Sequence, residues 1–144
     1  MNIHYICRME NIGITIPTGT RKEEIKVREK IIKDFYAKWI SEHPDKKIWN
    51  EDLQDYICVK YQSINETYNK AARRYESTLA VFRLTEVMEK AVFKEEKPTK
   101  PADKNQKPYS KLLILLYDGI KLTVGVQKNT QKKVQYCLTA LGSV

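Results

Sequence analysis

Apolar residues recur at intervals of three and four along the first part of the chain and at intervals of two near its end. Ile25, Ile32, Phe35, Tyr36, Trp39 and Ile40 share one helical face about 100° wide, which predicts a helix over about 21–41. Thr20 and Glu23 have the spacing of a capping box at its start. The helix should stop near Ser41, ahead of the turn at His43–Asp45. A short helix is expected over about 51–58, capped by Asn50 and burying Leu53, Tyr56 and Ile57. Ser63 and Glu66 repeat the capping-box spacing and open a third helix over about 64–76. Its inner face is Ile64, Tyr68, Ala71, Ala72 and Tyr75. Residues 77–83 read either as continued helix or as a short buried strand, with a break favoured there. Leu84, Val87, Met88, Ala91 and Val92 then resume helical spacing over about 84–93.

The period changes after residue 110. Strands are expected over about 111–117, 120–126 and 133–140, the first two joined by Asp118-Gly119, a pair that tolerates the positive φ of a tight hairpin. Ile120, Leu122, Val124 and Val126 alternate with Lys121, Thr123, Gly125 and Gln127. Val134, Tyr136, Leu138 and Ala140 alternate with Lys133, Gln135, Cys137 and Thr139. A period of two assigns each set to its own face. Between the two patterns runs 94–110, with Pro98, Pro101 and Pro108, expected as a connector because proline donates no backbone hydrogen bond. The expected architecture is α+β, with helices on one face of an antiparallel meander.

A length of 144 residues fits a single domain over 1–144, with 1–19 loosely ordered and the functional start at either Met1 or Met9. The longest apolar run, Leu112–Tyr117, is strand-sized, far short of the ~20 residues that cross a bilayer. With no secretory pattern at the start, the expectation is a cytoplasmic chain without a membrane partner. Cys7, Cys58 and Cys137 are odd in number and lie outside any CxxC pair, as expected of free thiols in a reducing compartment.

Charge alters the picture. Residues 1–93 hold 16 basic against 14 acidic side chains, whereas residues 94–144 hold 10 against 4, so most of the net +8 lies in the last third. Phosphate-cradle, dinucleotide and zinc-protease motifs are absent, and neighbouring carboxylates such as Glu51–Asp52 do not face each other. Neither a metal site nor a cofactor is expected. The remaining chemistry is a basic, hydrogen-bonding sheet face of Lys121, Thr123, Lys133, Gln135 and Thr139, with Arg73 and Arg74 on a nearby helix. It suits RNA or another nucleic acid; the alternative is a solvated face kept polar to block edge pairing. Of nine tyrosines, Tyr68, Tyr75 and Tyr136 fall at core spacing, while Tyr61, Tyr109 and Tyr117 are less constrained.

The run INETYNKAARRYESTLAVFRLTEVMEKAVF (64–93), a connector, and then YDGIKLTVGV and KVQYCLTAL carry a resemblance over about 60–141. The chain resembles domains found at the ends of large polyvalent proteins of phages and mobile elements, grouped with the barnase–RelE-like ribonucleases. The resemblance implies a metal-independent ribonuclease or an inactive, binding relative. It implies Glu66 as base for a ribose 2′-hydroxyl, and Arg73, Arg74, Ser77, Lys121, Tyr136 and Thr139 around the phosphate. No histidine falls in 60–141, so a usual general acid is missing. A second function class stays open, a small protein-interaction domain or homodimer formed through the apolar sheet edge at 112–116.

Overall fold

The computed structural model describes residues 15–142. The loose N-terminus expected over 1–19 therefore lies mostly outside the described residues, as do His4 and Cys7. The first helix, α1, runs Lys22–Glu42 and buries Arg28, Ile31, Ile32, Phe35, Tyr36 and Trp39, close to the face expected from spacing. Its start is set one residue later than the Thr20–Glu23 pair suggested. Glu24 folds back to accept from the Gly19 and Arg21 backbone N–H groups at 3.0 and 3.4 Å.

The expected helix over 51–58 is not formed. Lys47–Asn50 (β1) and Asp55–Cys58 (β2) pair as an antiparallel hairpin. Asn50 is the cause. Its side-chain carbonyl accepts from Leu53 N–H at 2.7 Å and bends the chain, while its amide donates to the Met88 and Ala91 carbonyls at 2.8 and 3.0 Å. The residue expected to start a helix instead fastens a turn to the end of another helix. The period-two signal was present, since Ile48 and Ile57 are cross-strand partners turned inward and Trp49 and Tyr56 are partners turned outward.

The next helix, α2, is Tyr61–Ala71 and starts earlier than the Ser63–Glu66 pair suggested. Lys60 precedes it, and Ser63 Oγ accepts from Lys60 N–H at 2.9 Å. Residues 77–81 are helix, within α3 (Tyr75–Val81); a turn at Phe82–Arg83 then breaks the chain before α4 at Leu84–Lys90. The break between α2 and α3 is held by Arg28. Its buried guanidinium donates to the carbonyls of Ala72, Pro17 and Arg73 at 2.8, 2.7 and 3.4 Å.

Part of the expected connector is strand. Val92–Lys97 (β3) is followed by a 3-10 turn at Lys104–Gln106 and then by β4 (Tyr109–Tyr117), with which β3 pairs; β5 (Ile120–Gln127) and β6 (Lys133–Ala140) complete the sheet. The sheet therefore has six strands in the order β1-β2-β6-β5-β4-β3, antiparallel except for β2 beside β6. The α+β class holds. The edge expected at 112–116 is interior, because β4 lies between β5 and β3. The edge strand on that side is the exposed, charged VFKEEK of β3, a composition that discourages further pairing; β1 forms the other edge.

β2 pairs with β6 only through Ile57↔Lys133 and Cys58↔Val134. Beyond that, α2 runs alongside β6. One sheet face, the helix face, presents Leu113, Leu115, Ile120, Leu122, Val124, Val126 and Leu138 to α1, α3 and α4 in the main core. The outer face carries a smaller cluster of Tyr109, Leu112, Val134 and Tyr136. The two-face assignment from alternation fails on β6 because of a bulge. Thr123 faces Cys137 and Val124 faces Gln135, so Tyr136 is an extra residue. Upstream of it every side chain changes face. Val134 and Tyr136 pass to the outer face, and Lys133 and Gln135 to the helix face.

Candidate functional site

Register decides which of the expected residues meet. On the outer face, Lys121 lies opposite Thr139, and Thr123 lies between Ile114 and Cys137. Lys133 and Gln135 are not with them. Lys133 Nζ pairs with Asp55 at 2.8 Å, which holds the Asp55 carboxyl below the usual aspartate range. Gln135 is fully buried; it accepts from the Tyr36 hydroxyl at 2.7 Å and donates to Thr67 Oγ1 at 2.9 Å. It belongs to the core.

Glu66 and Tyr136 do come together. Both are buried, at 5% and 4% exposure. The segment between Pro98 and Pro108 folds back over them as a strap. Its Asn105 side chain donates to Glu66 Oε1 at 3.2 Å, and buried Gln106 lies beside Tyr136. Among the described residues neither Glu66 Oε2 nor the Tyr136 hydroxyl has a hydrogen-bond partner. The two groups affect each other without reaching bonding geometry: burial first, then the Glu66 charge, raises the Tyr136 hydroxyl far above its ordinary range. Nearby, burial and then Glu66 push Tyr109 up to about 12, and its hydroxyl donates to Gln62 at 2.8 Å. Cys137 is pushed up to about 11, chiefly by burial, with Lys70 and Lys121 acting the other way.

Arg73, Arg74 and Ser77 sit elsewhere. Arg74 Nη1 donates to the Ala140 carbonyl at 3.3 Å, and Ser77 Oγ accepts from Ala140 N–H at 3.0 Å. They finish the exposed edge of β6, four residues beyond Tyr136, or about 13 Å at strand rise. Exposed Arg73 lies in the same turn. The residues named for phosphate cleavage thus divide into a buried acid–tyrosine pair, a separate basic turn with Ser77, and Lys121 opposite Thr139 on the outer face.

The lysines differ by face. On the helix face Lys111 and Lys133 are paired with Glu96 and Asp55, both at 2.8 Å. They flank a cavity of about 290 Å³ lined also by Leu53, Phe93, Leu113 and Val126. By contrast Lys121 on the outer face, Lys70 on α2, and Lys104 and Lys107 on the strap form no ion pair with a described residue. Spacing alone did not bring out the strap lysines, because the strap's path across the sheet is set by long-range packing. Among the described residues no group of three His, Cys, Asp or Glu could hold a metal ion, and no helix is long and apolar enough to cross a membrane.

No curated protein and no solved structure matches the chain. The family model described as large polyvalent protein-associated domain 3 matches residues 28–133. That span takes in most of α1, which lay outside the resemblance seen in the sequence, and runs through the helices and strands to the first residue of β6. With well over half of its length matched, the chain belongs to the large polyvalent protein-associated domain 3 family.

Proposed function

We propose that this domain binds nucleic acid across the outer face of its sheet. The observation that carries the reading is the contrast between faces. Lysines on the helix face are neutralised by carboxylates, while Lys70, Lys104, Lys107 and Lys121 have no such partner among the described residues. Unpaired lysines, with Lys121 opposite the partly exposed Thr139, suit phosphate oxygens, whose neutralisation releases counterions, whereas Thr123 is buried. The net charge of +8 favours the same partner at long range.

The arrangement favours a binding relative of the barnase–RelE-like ribonucleases over an active one. A base for the ribose hydroxyl must reach substrate, and Glu66 lies under the strap. Arg73 and Arg74, which would stabilise the phosphate, belong to the turn at the far end of β6.

The test is affinity for labelled single-stranded RNA and for a DNA duplex over a range of salt concentrations. Four phosphate contacts on a single strand give a slope of log K against log salt of about −3. Lys121→Glu with Lys70→Glu should flatten that slope while the circular dichroism spectrum stays unchanged. RNA incubated in chelator should remain intact. Absence of binding at low salt would sink the reading, and cleavage that depends on Glu66 would restore the ribonuclease.

A further inference from the structure

We propose that the outer face of the β1–β2 hairpin is a stacking platform for the unpaired bases of a single-stranded nucleic acid. The inference rests on the nucleic-acid reading above and specifies the form of the partner. Trp49 and Tyr56 are cross-strand partners, 42% and 44% exposed. Their ring centroids are 5.1 Å apart at 79°, an edge-to-face pair that leaves ring surface open to solvent. Lys47 Nζ stands 4.3 Å from the Tyr56 ring centroid, so a cation is held at the same patch. Tyr61, 75% exposed, follows Lys60 at the start of α2, three residues beyond the end of β2.

Aromatic planes interleaved with lysines are what a flexible single strand requires: rings stack on bases, and ammonium groups meet phosphates. A duplex has its base faces already stacked and offers nothing for these rings. Charge supports this occupant over an apolar protein partner. Lys46, Lys47 and Lys60 cluster where the Val59 N–H bonds the Lys46 carbonyl at 2.8 Å. Two of the hairpin's carboxylates are engaged elsewhere, Asp52 with the Phe93 N–H and Asp55 with Lys133. The strap with Lys104 and Lys107 lies on the same sheet face between the hairpin and Lys121, so one strand could follow a continuous path over all three.

Tryptophan fluorescence reads this directly. The other tryptophan, Trp39, is buried and donates to Thr85 Oγ1 at 2.8 Å, so emission accessible to a stacked base comes from Trp49. Titration with a mixed-sequence 12-nucleotide RNA should quench that emission. Trp49→Leu should abolish the quenching, and Trp49→Leu with Tyr56→Leu should weaken binding by about five- to 150-fold per stacked base with the salt slope retained. Both side chains are exposed, so circular dichroism of the variants should match the parent. Quenching by a duplex of equal length should be absent. If the double variant binds RNA as the parent does while Lys121→Glu does not, the stacking platform is overturned and the nucleic-acid reading survives. If neither RNA nor duplex binds the parent at low salt, both fall.

Discussion

The Tyr36 hydroxyl donates to the Gln135 side-chain carbonyl at 2.7 Å, joining the middle of α1 to β6 across 99 residues of sequence. The bond exists because the bulge at Tyr136 turns Gln135 toward the helix face, where α1 and Thr67 of α2 receive it. Burial raises the Tyr36 hydroxyl well above its ordinary range, so it stays a donor at neutral pH. Tyr36→Phe leaves a buried carbonyl unmatched and should cost about 1–3 kcal/mol. Thr67→Val should cost about the same for the amide end, and the double variant less than the sum, because both bonds share Gln135. Urea unfolding of the three variants checks this; strict additivity would show that the chain of bonds is not coupled.

Gly125 lies beneath the Tyr109 ring, and a Cβ there would come within 2.6 Å of a ring carbon. The ring cannot swing away freely, since its hydroxyl donates to Gln62 on α2. Gly125→Ala should therefore cost about 1–3 kcal/mol through overpacking. A thermal melt equal to that of the parent would show that Tyr109 shifts without penalty.

Glu66→Gln should hold or raise stability, by up to about 1 kcal/mol. The amide keeps an acceptor for Asn105 and places a donor where Oε2 has no partner, beside the Tyr136 hydroxyl. Chemical denaturation at pH 7 decides it. A loss above 2 kcal/mol would mean that the carboxylate is held by contacts other than those described.

Cys137 should resist alkylation near neutral pH. Its thiol is pushed up to about 11, first by burial, and the thiolate is the reactive form. Labelling of the native protein by iodoacetamide, followed by peptide mass spectrometry, should leave Cys137 unmodified at pH 8. Its labelling should rise as pH approaches 11. Rapid modification at pH 8 would show that α2 opens from β6 on the labelling time scale, since Cys137 packs against the Glu66 carbonyl.

Glu66, Gln135 and Lys133 mark the boundary of what could be read from sequence. Lys133 and Gln135 were candidate site residues on account of charge and alternation, and Glu66 on account of the resemblance. One was drawn under the strap, one into the core, and one to the opposite face beside Asp55. The aromatic pair Trp49–Tyr56 escaped notice for the opposite reason. Its strands are only four residues each, too short for alternation to outweigh a plausible helix cap at Asn50.

By itself the sequence determined the α+β class, the long first helix and the hairpin at Asp118-Gly119, because these depend on spacing and turn chemistry within a few residues. Tertiary structure alone decided the β1–β2 hairpin, the addition of β3 to the sheet and the bulge at Tyr136. Each is settled by a partner far along the chain: Met88 and Ala91 for Asn50, Leu112–Leu116 for β3, and Thr123–Val124 for the bulge. A one-residue slip reverses a strand's faces, so the bulge also decided which polar residues share the outer face. Local pattern carries no information about such a slip, because the energy that fixes it lies in contacts between distant segments.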